Sequence, residues 1–208
     1  MAVICPTVLA LNPHQFREQI DRVNFAQRIQ IDLGDGDFTS ATVTPEQVYW
    51  PEGVLADLHL MYKRPMEVLE TVISLNPNLA IVHLEAGGIE DFIEDLEPSS
   101  IRTGIALLQD TEPSELEPYL DKIDHVLVFS GALGSFGGKV EQSQIEKAKK
   151  IRQMAPDIEI GWDGGVNADN AEQLIQAGVD VLNVGGYIQK AEKPQEAYAI
   201  LKEITEHN

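Results

Sequence analysis

Cysteine is almost absent from this chain: Cys5 is the only one in 208 residues. No internal disulfide can form, which fits a reducing compartment, and a cytoplasmic location is expected. Basic residues are also scarce, with 15 Lys and Arg against 34 Asp and Glu and a formal net charge of -19. That balance argues against a nucleic-acid partner or an anionic membrane surface, but leaves an anionic small substrate open, because the field of a site is local. No apolar run is long enough to span a membrane. The apolar N-terminus, residues 1–10, lacks a basic leader and reads as a buried strand, not a signal peptide. What the chain does have is 43% hydrophobic residues and no linker or composition shift, so one domain over residues 1–208 is expected.

The organising stretch is Ile158-Glu159-Ile160-Gly161-Trp162-Asp163-Gly164-Gly165-Val166-Asn167, a strand running into a carboxylate, two glycines and a helix start. A carboxylate at the C-terminal end of a buried parallel strand is where α/β barrels keep their chemistry. Taken alone, such an Asp is equally a capping residue of a βα turn. The arrangement recurs along the chain. Strands are expected over residues 3–10, 28–33, 54–61, 79–85, 103–108, 125–129, 157–162 and 179–184. Helices are expected over 12–24, 65–75, 89–96, 114–123, 142–154, 167–177 and 194–205, with a short or missing second helix near Thr44-Pro45-Glu46 because Pro51 follows so soon. About eight strand–helix units make a (β/α)₈ TIM barrel the expected fold. An open doubly wound sheet is the runner-up, but the first strand lacks a G-x-G-x-x-G turn.

Alternation places Gln30 with Asp32, Asp57 with His59, and His83 with Glu85 on common strand faces. A lone strand His is ordinarily a satisfied core residue. As a set facing inward, these groups would converge at one barrel mouth, where burying them without partners or a ligand is costly. Asp32 and Asp163 facing each other across that mouth would suit proton abstraction from one face of a carbon and delivery to the other. Fixed donors or a metal must then stabilise the enediolate, and Gln30, Asp32, His59 and Asp163 contain ligand types suited to Zn or Fe. Glycines follow the sixth, seventh and eighth strands at Gly137-Gly138, Gly164-Gly165 and Gly185-Gly186. They are either tight-turn residues or, as three neighbouring loops, a phosphate cradle built from backbone N–H groups.

These residues resemble the ribulose-phosphate 3-epimerase family over nearly the whole length, in order. Pro6-Thr7-Val8-Leu9 is similar to its Pro-Ser-Ile-Leu, and Ile31-Asp32-Leu33-Gly34-Asp35-Gly36-Asp37-Phe38 to its Val-Asp-Val-Met-Asp-Gly-His-Phe. Asp57-Leu58-His59-Leu60-Met61, His83-Leu84-Glu85-Ala86, Phe136-Gly137-Gly138 and Ile160-Gly161-Trp162-Asp163-Gly164-Gly165-Val166 match in turn. The resemblance implies a TIM barrel that interconverts ribulose 5-phosphate and xylulose 5-phosphate, or a similar sugar phosphate, through a metal-bound enediolate. It implies Asp32 and Asp163 as the acid–base pair, both binding the metal with His59. It implies Met61 in the pocket, beside His59, and phosphate held by Ser135, Phe136, Gly137, Gly138, Gly164, Gly165, Gly185 and Gly186. It also implies a homo-oligomer.

The departures from the pattern are specific. Gln30 stands where the family has its first His ligand, so Gln30 is at most a weak ligand, and the divalent metal, Zn or Fe, is put in doubt. Ala10 is read as the place of a substrate-contacting Ser. Gly34, in place of Met, is expected to widen the pocket. Two other readings therefore stay open: a phosphosugar-binding barrel without metal or turnover, and a related lyase or decarboxylase. Against the last, Asp32-Leu33-Gly34-Asp35 lacks the Lys of that group's Asp-x-Lys-x-x-Asp motif.

Overall fold

A computed structural model describes residues 1–131, 133 and 137–206. Its eight strands are β1 Val3–Leu9, β2 Arg28–Gly34, β3 Leu55–Met61, β4 Leu79–His83, β5 Arg102–Leu107, β6 His125–Phe129, β7 Glu159–Asp163 and β8 Val181–Val184. They close in sequence order into one all-parallel barrel, a (β/α)₈ TIM barrel. Closure comes from β8 pairing with β1, with Cys5 opposite Asn183 and Pro6 opposite Val184. Pro6 is accommodated within β1, although its ring removes one N–H from the ladder.

The helices are α1 Pro13–Val23, α2 Leu69–Leu75, α3 Ile89–Leu96, α4 Gln142–Met154, α5 Ala171–Gln176, α6 Gly186–Gln189 and α7 Pro194–Glu206. In α1 the cap and the apolar spacing work together. The Asn12 side chain accepts from the N–H groups of His14 and Gln15, and Pro13 occupies the first turn, where its missing N–H costs nothing. Phe16, Ile20 and Val23 then fall on one buried face. Burying each such side chain contributes roughly 1.5–3 kcal/mol.

The expected missing second helix is found: the link from β2 to β3 holds a single 3₁₀ turn, Pro45–Gln47. Other segments also differ from the sequence expectation: β4 ends at His83, so Glu85 lies in the turn after it, and α5 begins only at Ala171. The helix expected over residues 114–123 contracts to a 3₁₀ turn, Pro113–Leu116. Pro118, inside that window, cannot donate to the helical ladder and clashes with the preceding turn. The short helix α6 after β8 was not expected, because four residues carry no readable periodicity. Among the described residues, no helix is long and apolar enough to cross a membrane.

The barrel interior is stratified. Leu79, Ile81, Ala106 and Leu127 form an apolar cluster of their own, separate from the larger core between barrel and helices. At the N-terminal ends of the strands lies a charged floor. Arg28 Nε donates to Asp57 at 2.6 Å, and its other nitrogens donate to both carboxylate oxygens of Glu159 at 2.9 and 2.8 Å. Asn78 donates to Asp57 at 2.6 Å, and His125 Nδ1 meets Glu159 at 2.8 Å. This corrects the expectation for Asp57. It does share the inward face of β3 with His59, one inward position below it, but its carboxylate is turned to Arg28 and Asn78 and is consumed by them.

The floor generates a pH-dependent prediction. Burial alone pushes the Glu159 carboxyl up, but hydrogen bonds from Arg28 and His125 outweigh it and hold the group below the usual carboxylate range. A depressed folded-state value stabilises fully above the unfolded value and is lost as pH falls through the acid range. Glu159→Gln, which leaves half of the Arg28 fork without its charged partner, is expected to cost about 3 kcal/mol at pH 7. Denaturant unfolding should show the gap to the parent closing as pH falls below about 4. An equal gap at pH 3 and pH 7 would refute this role.

Candidate active site

Three strands deliver the polar groups of the mouth. Gln30 and Asp32 are successive inward positions of β2, opposite Asp57 and His59 in the β2–β3 register. Asp163 is the last residue of β7 and pairs with Asn183 on β8. The Gln30 amide lies between the two carboxylates: its Nε2 donates to Asp32 Oδ1 at 2.8 Å and to Asp163 Oδ2 at 2.6 Å. Burial, and then the negative charge of Asp32, raise the Asp163 carboxyl above the ordinary range. The pair therefore favours one proton between two acids, the arrangement an acid–base couple needs.

A second line of contacts runs sideways from Asp32. His59 Nδ1 lies 3.0 Å from Asp32 Oδ1 and 3.9 Å from Asp163 Oδ2, and its Nε2 lies 2.9 Å from His83 Nε2. Phe38 and Phe129 cover His83, and burial lowers its pKa to about 4. With both rings neutral and the Asp32 carboxylate accepting, one set of tautomers satisfies both short contacts. His59 carries its proton on Nδ1 toward Asp32, and His83 donates from Nε2 to His59. His83 Nδ1 is then an acceptor facing another acceptor, Glu85 Oε2, at 3.5 Å, and it makes no hydrogen bond among the described residues.

Ligand atoms of Asp32, His59 and Asp163 lie within 4.8 Å of one another, a spacing that suits one metal ion. Two orphaned atoms test the fit. Gln30 Oε1 and His83 Nδ1 are both buried without a partner among the described residues. Turning the Gln30 amide by half a revolution would exchange its donor for its orphaned oxygen between the carboxylates. Moving the His59 proton to Nε2 would free Nδ1 as a ligand and place a proton on His83 Nδ1, toward Glu85. The second change satisfies His83 Nδ1; the first gives Gln30 Oε1 a cation but puts Nε2 in the partnerless position, so Asp32, His59 and Asp163 fit a divalent cation and Gln30 is its weakest ligand.

Asp32 and Asp163 form part of the wall of a cavity of about 300 Å³. Met61, Gly137, Gly164, Gly165, Gly185 and Gly186 line the same cavity. Gly164 has to be glycine: its φ is 122° and an added Cβ would stand 2.5 Å from the Ser130 carbonyl carbon. The Trp162 indole, on the outer face of β7, donates to the Gly164 carbonyl at 2.9 Å and anchors that turn. His59 is completely buried and reaches the site through Asp32. Gly138 is placed against Ser130 and Gly131, where an added Cβ would lie 2.8 Å from either. Ser135 and Phe136 lie outside the described residues.

Neither Ala10 nor Gly34 alters the pocket in the way expected. Ala10 packs in the core outside the barrel, and the hydroxyl of β1 that lines the cavity is Thr7. Gly34 does not widen the pocket, since a Cβ there would strike the Ser40 carbonyl at 2.5 Å and Thr39 at 2.7 Å. Its missing side chain admits the loop that replaces the second helix. Sequence reasoning also missed Asn183, Asn167, Tyr187 and Lys190, all in the cavity wall. Asn183 did carry a signal, as the one polar residue of the strand Val181-Leu182-Asn183-Val184.

Comparison with known proteins decides the family. A model of the ribulose-phosphate 3 epimerase family matches residues 3–189. This chain belongs to the ribulose-phosphate 3-epimerase family. Ribulose-phosphate 3-epimerase of Helicobacter pylori strain J99 is 29% identical over 194 residues, covering 89% of each chain. The enzyme of the same name from Bacillus subtilis is 28% identical over 200 residues, covering 90% of this chain and 92% of its own. Among solved structures, 3-hexulose-6-phosphate synthase from Salmonella typhimurium superposes with a TM-score of 0.75 at 13% identity, covering 99% of this chain and 100% of its own. Thiamine phosphate pyrophosphorylase from Pyrococcus furiosus does so with a TM-score of 0.66 at 17% identity, covering 99% and 96%. At such identities these two show the barrel fold alone. Like its family, the chain is an isomerase of the ribulose-phosphate 3-epimerase type.

Gln30 sets a metal-binding prediction. A carboxamide must give up two hydrogen bonds to carboxylates before its oxygen can face a cation, whereas an imidazole need not. Gln30→His is therefore expected to bind Zn²⁺ at least about tenfold more tightly than the parent in calorimetric titration. Equal affinity would show that Gln30 is no obstacle.

Proposed function

We propose that the protein is a 3-epimerase of a phosphorylated ketose, ribulose 5-phosphate/xylulose 5-phosphate or a close relative. One observation carries this reading: Asp32 on β2 and Asp163 on β7 border a single cavity, tied through one Gln30 amide, and glycine turns line its other part. The substrate's phosphate fits the turns at Gly137, Gly164-Gly165 and Gly185-Gly186, with the Lys190 side chain adding a positive charge to that wall. Ser135 and Phe136 extend the same loop in sequence.

The acid–base pair divides the work. Asp32, ionised, takes the C3 proton from one face of the substrate, and the electrons of the broken C–H bond move toward the C2 carbonyl to give an enediolate. Asp163, whose carboxyl is held protonated by burial and by its neighbour, gives a proton to C3 from the other face. The reverse reaction exchanges the two roles. Zn or Fe held by Asp32, His59 and Asp163, with the Gln30 oxygen as a weak fourth ligand, would supply the positive charge that makes the C3 hydrogen acidic. Met61 and Phe129 form apolar wall beside the carboxylates, which limits water at the reacting carbon.

Gln30 weakens the metal site on which this turnover depends, because its donor already occupies both carboxylates. The lone buried Cys5 supports residence in a reducing compartment; one domain over residues 1–208 is supported by the single closed barrel, and a homo-oligomer rests on the family resemblance alone.

The test is exchange of the C3 hydrogen in D₂O, followed by NMR across pentulose and hexulose phosphates with Zn or Fe added. Deuterium should enter C3, and Asp32→Asn and Asp163→Asn should each slow it about a thousandfold. No exchange with any of these sugars would overturn the reading of the substrate as a phosphorylated ketose inverted at C3.

A further inference from the structure

Two buried polar atoms of the cavity wall have no partner among the described residues and no role in the acid–base couple. They are Asn183 Oδ1 and Thr7 Oγ1, and each residue is only 2% exposed. Both side chains line the cavity that contains Asp32 and Asp163. Orphaned acceptors at such depth are rare, because each costs about 1–3 kcal/mol when left unmade. A ligand that supplies the missing partner recovers that cost on binding.

Strand order fixes where this happens. Asp163 on β7 is the register partner of Asn183 on β8, and Asn183 is in turn the partner of Cys5 on β1. Thr7 follows two residues later on the same face of β1 and pairs with Gln30 on β2. Asn183 and Thr7 therefore occupy the arc of wall between the two aspartates, on consecutive strands. Asn183 also lies two residues before Gly185-Gly186. It stands beside the acid that serves the reacting carbon and just below a turn that fits the phosphate.

We propose that Asn183 is a specificity-determining residue that binds the hydroxyl on the carbon next to the reacting carbon, on its phosphate side. This rests on the epimerase reading, in which that group is the C4 hydroxyl of a ketopentose phosphate. The Asn183 carboxamide accepts the hydroxyl proton, and the Thr7 hydroxyl flanks it. The contact is the same before and after inversion at C3, so it fixes the sugar chain while the configuration changes. Asn183 is a binding residue and takes no proton in the reaction.

The experiment compares two non-reacting probes, ribitol 5-phosphate and its 4-deoxy counterpart, by calorimetry with the full chain. The parent should bind the hydroxylated probe about 5- to 100-fold more tightly, the span expected for satisfying one buried acceptor. In Asn183→Leu, similar in size but apolar, that ratio should fall to about 1, with affinity for the deoxy probe retained. Asn183→Ala, which also lacks an acceptor, gives the same comparison if the leucine variant folds poorly. A ratio preserved in either variant, or no preference in the parent, overturns the assignment of Asn183. C3 exchange measured on the same preparations separates the two claims. Binding and exchange with an unchanged ratio defeat only Asn183, whereas failure of the parent both to bind and to exchange defeats the epimerase reading with it.

Discussion

Two carboxylates in one poorly hydrated cavity repel each other, by about 4 kcal/mol for charges 4 Å apart at an effective dielectric near 20. Everything at the mouth of this barrel answers that repulsion. Gln30 sets a donor against each of Asp32 and Asp163 at once, His59 sets another against Asp32, and the Asp163 carboxyl moves toward its neutral form. A group that can hold a proton near neutral pH beside one that has lost it is also what inversion at carbon requires. The electrostatic difficulty and the chemistry come from the same geometry.

The floor and the mouth of the barrel treat buried charge in opposite ways. At the floor, Arg28 takes Asp57 and both oxygens of Glu159, and Asn78 and His125 add to these contacts. Such a network holds the strands in register and leaves little for a ligand to do. At the mouth, Gln30 Oε1, His83 Nδ1, Thr7 Oγ1 and Asn183 Oδ1 have no partner among the described residues. The apolar cluster of Leu79, Ile81, Ala106 and Leu127 fills the side of the interior contributed by β4, β5 and β6. Paired charge is concentrated at the floor, where His125 Nε2 lacks a partner among the described residues, and the larger share of unsatisfied hydrogen-bonding capacity lies at the mouth, where barrels bind their substrates.

Gln30 distinguishes this member from the pattern of its family. Its amide can present a donor or an acceptor to the same two carboxylates, because the two ends of a carboxamide have nearly the same shape. Presenting the donor stabilises the acid pair without an ion. Presenting the oxygen completes a ligand set with Asp32, His59 and Asp163. The neighbouring histidine pair has a matching alternative, with both protons shifted toward Glu85.

The sequence alone was enough for the alternation of strands and helices, the barrel, the missing second helix and the Asp32, His59 and Asp163 set. Each depends on local periodicity or on short motifs that survive as strings. Tertiary structure alone decided which end of the barrel each inward residue faced. Asp57 and His59 share a face two residues apart, yet one joins the floor network and the other the site, because Arg28 and Asn78 take the Asp57 carboxylate while His59 meets Asp32. It also decided that Gly34 makes room for a loop and that Thr7, not Ala10, reaches the cavity. Asn183 was visible as a polar residue in an apolar strand, but its place beside Asp163 exists only once β8 has paired with β7. Contacts between strands far apart in the chain have no local signature, since closing the ring creates them.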